Sequence, residues 1–302
     1  MNSQWRALFQ EEVPCNLCGS QNAPPAVKRR DGATVVRCPK CGLMFVSPRP
    51  RERDIPQLYD EKYFVQSNIS GYKDNYFENP ERQEIVRAQL KFLSRHVSKY
   101  GRKGSLLEIG CADGSFLNFA KGDGWITTGV ELSPQAAARA QALGLEIKIG
   151  TLERANQPDA STDVVVAWEM IEHSTDPAHD LTEMFRVLKP GGLLFLSTPN
   201  VRRAKITRNW VGFRSSYEHL YYFDPLTVSS LLKKVGFEPI HVITEEPYVT
   251  IVLAKASHRS IPDFWVAPTR GPLLGALDTA LGAIPNRLLR VGHSLRIVAR
   301  KP

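Results

Sequence analysis

The sequence predicts an α/β protein: a largely parallel sheet with helices on both faces, preceded by a small metal-held element. Three observations predict it. From Ser105 onward, short apolar runs alternate with segments of helical periodicity. A glycine-containing turn, "LEIGCADGSF" over 106–115, closes the first of those runs. Four of the five cysteines form two C-x2-C pairs near the start, Cys15/Cys18 and Cys38/Cys41. Alternating strands and helices imply a parallel sheet, because each crossover helix must cover a sheet face. Paired cysteines of this kind allow a short segment to fold around a metal instead of a large core.

The composition sets the frame. Of the 302 residues, 42% are apolar and 23% charged, as in an ordinary globular chain. No apolar run reaches the roughly 18 residues that a membrane-spanning helix needs. The first residues, "MNSQWRALFQEEVPCN", lack a basic stretch followed by an apolar core, so no secretion signal is expected and a cytoplasmic protein follows. The net charge of +8 is uneven: residues 201–214 hold five basic residues and no acid, and residues 256–302 hold seven basic and two acidic ones. The remainder is near neutral, about −2 by subtraction. Two local basic clusters suit an anionic substrate or surface, with a solvated face as the plain alternative. The near-neutral core, and a head without alternating aromatic and basic residues, argue against a nucleic-acid partner.

The two cysteine pairs are nineteen residues apart, and each is followed by a glycine, Gly19 or Gly42. Two such knuckles can place four thiolates at the corners of a tetrahedron, so Cys15, Cys18, Cys38 and Cys41 are read as zinc ligands, with a rubredoxin-like iron site as the minor alternative. Four thiolates leave no open position, which makes the metal structural. In a reducing compartment disulfides are not expected. This ribbon-like element covers about residues 1–50. The connector "LMFVSPRPRERD" leads into a linker rich in aromatics: Tyr59, Tyr63, Phe64, Tyr72, Tyr76 and Phe77. Packing of that linker onto the main domain is favoured over a lid closing on a flat ligand. From Glu81 to about Tyr100, Ile85, Leu90, Phe92, Leu93 and Val97 recur at helical spacing, so a lead-in helix completes a 51–104 segment.

The main domain, 105–302, follows in order. "SLLEIG" is a short apolar run fit for a buried parallel strand. "SFLNFAK" is a helix stopped at Gly122, and "WITTGVE" is the second strand. "SPQAAARAQALG" is a helix with Ser133 as N-cap, Pro134 in its first turn and Gly144 past its end. "LEIKIG" and "DVVVAWEM" are strands three and four. "DPAHDLTEMFRVLKPGG" is a helix capped by Asp176 and opened by Pro177, "LLFLSTP" is strand five, and "DPLTVSSLLKKVGF" repeats the Asp-Pro opening with Asp224 and Pro225. "EPIHVIT" is strand six. "LRIVARK", 295–301, reads as a seventh strand, antiparallel, at the sheet edge or beside it. Residues 249–292 between them are an insertion of one or two helices.

The first turn then asks what it holds. A dinucleotide loop reads G-x-G-x-x-G, and its second glycine admits a pyrophosphate. Here Gly110 is followed by Cys111, Ala112, Asp113 and Gly114. A methyl occupies the place of close approach, and Asp113 and Glu108 would repel a phosphate. A cation carrying ribose hydroxyls would be welcome. Glu131, twenty-three residues after Glu108, ends the second strand, where an acid binds a ribose diol. The turn therefore favours S-adenosylmethionine over a nicotinamide cofactor.

Taken together, "LEIGCADGSF", "GVELSP", "WEMIEHSTDP", "RVLKPGGLLFLSTPN" and "EHLYYFDP…LLKKVGF" resemble a class I S-adenosylmethionine-dependent methyltransferase over about 105–240. The resemblance is to the branch with ubiquinone-type O-methyltransferases and saccharide-pathway methyltransferases, many of which carry a four-cysteine zinc element. It implies a Rossmann-like methyltransferase sheet of seven strands with a reversed last strand, which agrees with "LRIVARK". It also implies cofactor contacts from the loop Glu108, Gly110, Cys111, Ala112, Asp113 and Gly114, from Glu131 to the ribose, from Leu132, Thr151 and Leu152 around the adenine, and from Trp168 at its border. The chain departs from the family pattern at Ala112, where a glycine is usual, and at Thr151, where an acid is usual; Glu153 is a doubtful substitute.

Methyl transfer is an in-line displacement, and a hydroxyl acceptor gains from a general base. His173 in "EMIEH" and His219 in "YEHLYYF" both follow strands on the carboxyl side of the sheet, where histidine can serve as that base. A structural role is the plain alternative for each. Glu172 stands beside them as a third catalytic candidate, or as a ligand for a divalent ion together with His173. The arginines of 201–214 could hold a phosphate or carboxylate. Arg287 and Arg290 within apolar 270–292 could touch a membrane surface, with core packing the safer reading. The expected acceptor is thus a small molecule, anionic or nucleotide-linked, methylated on a hydroxyl, as in a saccharide. C-methylation of a sugar, RNA methylation and a non-catalytic binding module are the alternatives.

Overall fold

The computed structural model describes residues 9–59, 63–64, 75–79, 82–205, 210–213, 218–245 and 293–302. The head holds five short strands: β1 (Phe9–Glu11), β2 (Pro25–Lys28), β3 (Thr34–Arg37), β4 (Met44–Val46) and β5 (Arg49–Pro50). Strands β2, β3 and β4 form an antiparallel meander, and β1 pairs with β5. Helix α1 (Arg82–Tyr100) buries Val86, Phe92, Leu93, His96 and Val97. Ile85, one of the residues in its predicted apolar stripe, is instead 38% exposed.

The main sheet alternates as its periodicity requires: β6 (Ser105–Ile109), α2 (Ser115–Gly122), β7 (Ile126–Glu131), α3 (Pro134–Ala142), β8 (Glu146–Ile149), β9 (Thr162–Trp168), α4 (Pro177–Val187) and β10 (Leu188–Pro199). The short β11 (Tyr221–Tyr222), α5 (Pro225–Val235), β12 (Glu238–Glu245) and β13 (Ser294–Arg300) follow. The seven-stranded sheet runs β12-β13-β10-β9-β6-β7-β8. Strand β13 is antiparallel to both its neighbours, β10 and β12. It lies one place inside the edge, and its Leu295, Ile297, Val298 and Ala299 are fully buried. Pairing on both sides satisfies its backbone, while one apolar cluster covers Leu295, Ile297 and Ala299 and another covers Val298 on the opposite face, so β12 takes the edge.

The capping signals act as read. Ser133 Oγ accepts the Ala136 amide, Asp176 accepts the His179 amide, and Asp224 with Thr227 closes a capping box. One boundary moved. "LKPGG" was expected to end a helix, but α4 stops at Val187 and Leu188 already pairs with Thr162 of β9. Pro190 cannot continue a helix, and the register shifts between Leu188 and Leu193, so this segment bulges into β10.

The head is not a separate body. Its sheet is completed by β11, in the order β11-β4-β3-β2. Val35, Phe45 and Val46 of the head share one apolar cluster with Leu181, Tyr221, Phe223 and Leu231 of the main part. Among the described residues no helix is long and apolar enough to cross a membrane. The 249–292 insertion with Arg287 and Arg290, and also Tyr72, Arg208 and Arg214, lie outside the described residues.

Candidate active site and cysteine cluster

The turn after β6 is held by β7. The Gly110 amide donates to Val130 O at 2.8 Å, and Glu131 accepts the Ala112 amide on Oε2 at 2.8 Å and the Ser133 amide on Oε1 at 2.8 Å. Gly110 and Gly114 have φ of +72° and +73°, and Ala112 has φ +48°. An added Cβ on Gly114 would lie 2.8 Å from Ala140 Cβ, so that position needs glycine for space as well as conformation, whereas on Gly110 it would lie 3.0 Å from Met170 Cγ and the positive φ is the stronger reason for glycine. Ala112 takes the left-handed region with a side chain, at a cost of order 1 kcal/mol, and the buried Glu131 carboxylate holds it there.

Glu108, Asp113 and Glu131 crowd one turn. Burial, and then the Asp113 and Glu131 charges, push the Glu108 carboxyl well above its ordinary value; its Oε2 is buried with no hydrogen-bond partner. Asp113 behaves oppositely. Burial raises it, but the Arg82 guanidinium outweighs that and lowers it. Arg82 grips it with two bonds of 2.7 Å, and Asp113 in turn accepts from Ser115 Oγ at 2.8 Å at the start of α2. Asp113 is thus a brace of the loop rather than an acid aimed at ligand.

An orphaned carboxyl oxygen at Glu108, a ribose-type acid at Glu131 and, among the described residues facing Glu108, no cation but Arg82, itself engaged with Asp113, make a donor set for a cationic nucleoside. S-adenosylmethionine fits it: Glu108 would face the methionine end and Glu131 the ribose. Leu152 is buried in the apolar cluster that includes Ile109 at the end of β6, and Leu132 packs against that cluster. Trp168 stacks edge-on against Phe116 at 5.6 Å and has a buried Nε1 without a partner. Cys111 is buried, its thiol pushed far up by burial, and it packs near Gly129 as a small core residue. Thr151 is exposed, with its Oγ1 3.5 Å from the Arg154 amide, and the Glu153 carboxylate lies 3.6 Å from His179 Nε2.

The aromatic linker packs over this turn. Tyr63, Phe64 and Ala136 form a buried cluster to which Tyr59, Tyr76, Phe77 and Ala112 attach. The Arg82 guanidinium lies 3.8 Å from the Tyr76 ring centre. Tyr59 spans two places: its ring is 4.6 Å from that of Tyr63, and its hydroxyl is 3.2 Å from His173 Nδ1.

Glu172, His173 and His219 come together beside that hydroxyl. One ligand atom from each lies within 4.8 Å of the others. Glu172 Oε1 is 3.9 Å from Nε2 of His173 and 3.9 Å from Nε2 of His219, and the two imidazoles stand edge-to-face at 4.8 Å. Both Glu172 oxygens and His219 Nδ1 are buried without a hydrogen-bond partner. Burial pushes Glu172 up, and Glu169 adds to it. Burial lowers His173 to about 4, and it lowers His219, to which His173 and then Arg29 contribute. Both imidazoles are therefore neutral near pH 7, and the same burial makes each a weaker proton acceptor than a free imidazole.

This has a measurable consequence for stability. A native value of about 4 against the ordinary 6.5 means that the unfolded chain binds more protons between those limits. The contribution of His173 is full above about pH 6.5 and is lost as pH falls towards 4. The raised carboxylates slope the other way, so the difference between proteins isolates it. In urea titrations from pH 8 to 4, a His173→Gln protein is expected to lose less stability than the parent; parallel curves would contradict the burial of a neutral imidazole.

The four cysteine thiols also converge. Cys15 and Cys41 sulfurs are 3.4 Å apart, as are those of Cys18 and Cys38, and all four lie within 4.8 Å. These separations exceed a disulfide bond and match the roughly 3.8 Å edge of a tetrahedron with ~2.3 Å metal–sulfur bonds. The knuckles turn at Gly19 and Gly42, whose amides bond to Cys15 O at 2.7 Å and Cys38 O at 2.9 Å. The set fits a tetrahedral thiophilic metal.

The sequence reading did not single out Arg82 or Arg29, and it named Tyr59 only as a packing aromatic of the linker. Arg82 opens α1, and the local sequence says nothing of Asp113, thirty-one positions on. The sheet with its reversed strand, the loop at its carboxyl end and the two carboxylates around it define a methyltransferase of the S-adenosylmethionine-dependent kind. Comparison agrees. A family model described as a methyltransferase domain matches residues 80–242, more than half of the chain. The chain belongs to the S-adenosylmethionine-dependent methyltransferase family. A probable S-adenosylmethionine-dependent methyltransferase of Mycolicibacterium smegmatis is 32% identical over 164 residues, 54% of this chain, and the match spans only 55% of that protein. A ubiquinone biosynthesis O-methyltransferase of Xanthomonas oryzae pv. oryzae is 33% identical over 187 residues, 56% of this chain and 74% of that one. The crystal structure of a SAM-dependent methyltransferase from Archaeoglobus fulgidus superposes with a TM-score of 0.52 at 19% identity, covering 76% of this chain and all of the other, and supports the fold alone.

Proposed function

We propose that the protein transfers a methyl group from S-adenosylmethionine to a hydroxyl of a small polar acceptor, such as a saccharide, with the Glu172–His173–His219 cluster deprotonating it. The observation that carries the reading is that cluster: two neutral imidazoles and an unpartnered buried carboxyl, linked through Tyr59 to the aromatics that cover the cofactor turn. The bound cofactor supplies an electrophilic methyl on sulfonium. The chain's own residues do the rest. Glu108 and Glu131 orient the donor, the aromatics Tyr59, Tyr63 and Phe64 exclude water, and His219 or His173 takes the hydroxyl proton on a ring nitrogen. Arg202 and Arg203, in the short helical turn Val201–Lys205 after β10, would favour an anionic acceptor, with Arg202 also paired to Asp224 at 3.0 Å. O-methylation in the ubiquinone-pathway relatives supports oxygen over carbon or nitrogen as the target. For the cysteine cluster we propose structural zinc.

The test is methyl transfer from labelled S-adenosylmethionine to a panel of nucleotide-linked sugars, free polyols and catechols. His219→Gln and His173→Gln are expected to lower turnover by about 10²–10⁴, the range for general-base loss, with cofactor affinity kept. Parent rates in both variants would overturn the assignment of the base. A second reading has its own support: three convergent ligand atoms with unpartnered oxygens suit a divalent ion. Turnover abolished by EDTA and restored by Mg²⁺ would establish it.

A further inference from the structure

The head makes one contact that its own stability does not explain. Arg29 is buried, at 3% exposure, where β2 leaves the head sheet. Its Nε donates to Asp31 Oδ1 at 3.1 Å, and Nη2 also reaches Asp31. Asp31 Oδ1 accepts the Ala33 amide at 3.1 Å as well, so the pair is fixed by its own turn. The remaining prong, Nη1, crosses out of the head: it donates to the His219 carbonyl at 2.7 Å and to the Tyr222 hydroxyl at 2.9 Å. The residues around His219 are tied to the same place. The Val46 amide of β4 donates to Leu220 O at 2.8 Å, the Leu220 amide donates to Glu172 O at 2.8 Å, and Tyr221 and Tyr222 pair with Phe45 and Met44.

We propose that Arg29 is a positioning residue: the four-cysteine head holds the backbone of His219 through the buried Arg29–Asp31 pair and so sets the ring of His219 against His173 and Glu172. The head is then part of the active site, not an appendage to it. Both hydrogen-bonded routes, from Arg29 to His219 and from Val46 through Leu220 to Glu172, end on backbone carbonyls of the candidate catalytic residues. A guanidinium suits this place. Its planar fork serves Asp31 and His219 from separate nitrogens in a fixed geometry, whereas an ammonium must make every bond from one nitrogen. A buried charge needs such fixed partners.

This rests on the reading of His219 as a member of the active site, and turnover of His219→Gln tests that separately. The positioning itself is read without an acceptor, on protein labelled with ¹⁵N and ¹³C at histidine, with the His219 signals assigned by their loss in His219→Gln. The parent should show a nuclear Overhauser contact between the His173 and His219 rings. In Arg29→Lys that contact should weaken severalfold and the ¹⁵N shifts of His219 should move, while zinc content stays at the parental value and cofactor affinity changes by less than about threefold. Where the lysine variant does not fold, Arg29→Met combined with Asp31→Asn removes both buried charges together, keeps an acceptor for the Ala33 amide, and reads the same signals. A lowered melting temperature with the ring contact and ¹⁵N shifts of His219 unchanged would overturn the proposal, because it would mean that Arg29 only stabilises the head.

Discussion

Replacing Glu131 with alanine is expected to weaken S-adenosylmethionine binding by at least about a hundredfold. The carboxylate accepts the Ala112 and Ser133 amides, one on each oxygen, at 2.8 Å. Alanine leaves both amides unsatisfied in a buried place, at about 1–3 kcal/mol each. It also frees Ala112 from its left-handed conformation, so the turn no longer presents its fixed shape. The ribose contact assigned to the same carboxylate goes with it. A total near 3 kcal/mol corresponds to roughly a hundredfold in affinity. Glu131→Gln should fall between, because its carbonyl oxygen can keep one amide while its NH₂ faces the other. Calorimetric titration with S-adenosylmethionine and with its demethylated product reads this directly. Affinities within about threefold of the parent in the alanine variant would refute both the bracing and the ribose role.

Chelating the zinc proposed for the cysteine cluster, or replacing Cys38 with serine, is expected to abolish methyl transfer while leaving cofactor binding within a few-fold. Structural zinc contributes about 10–16 kcal/mol to the folding of isolated zinc-finger peptides, far more than a short meander can replace. Loss of a thiolate should therefore open the head. The consequence travels, because the head shares β11 and an apolar cluster with the main part. Asn16, inside the first knuckle, donates to Asp176 at 2.7 Å and accepts the Ala178 amide at 2.8 Å, at the start of the helix that follows Glu172 and His173. The cofactor turn is held from β7, α1 and the aromatic linker instead, which is why its affinity should survive. Hydrogen exchange should report early opening at residues 15–50 and around 172–178 and 219–222, with β6 and β7 still protected. Full transfer by the metal-free protein would show that the head is dispensable.

Much of the fold was legible from local chemistry. The Asp-Pro and Ser-Pro openings capped α3, α4 and α5 as read, because a side-chain oxygen, a fixed φ and the first free amides lie within a few residues of one another. The strands were legible as apolar runs, since a buried strand of a parallel sheet is apolar on both faces. The reversal of β13 was read at 295–301 and agrees with the family resemblance, whereas its place between β10 and β12 depended on partners far away in sequence. The boundary at Val187 was misread because "LKPGG" carries helix-ending and strand-bulging signals at once, and pairing with β9 decided between them.

For the site, the sequence by itself determined which residue types could act: a cationic nucleoside turn, four thiolates, two histidines and an acid. Those follow from composition and spacing, and spacing acts through local geometry. Only the tertiary structure decided which of them meet. It turned Asp113 away to Arg82, brought His219 across to His173 and Glu172, set Tyr59 between them and the aromatic cover, and placed Arg29 behind the His219 carbonyl. The physical reason is that a buried charge or an orphaned carbonyl is stable only with its partner, and chain closure brings that partner from any distance along the sequence.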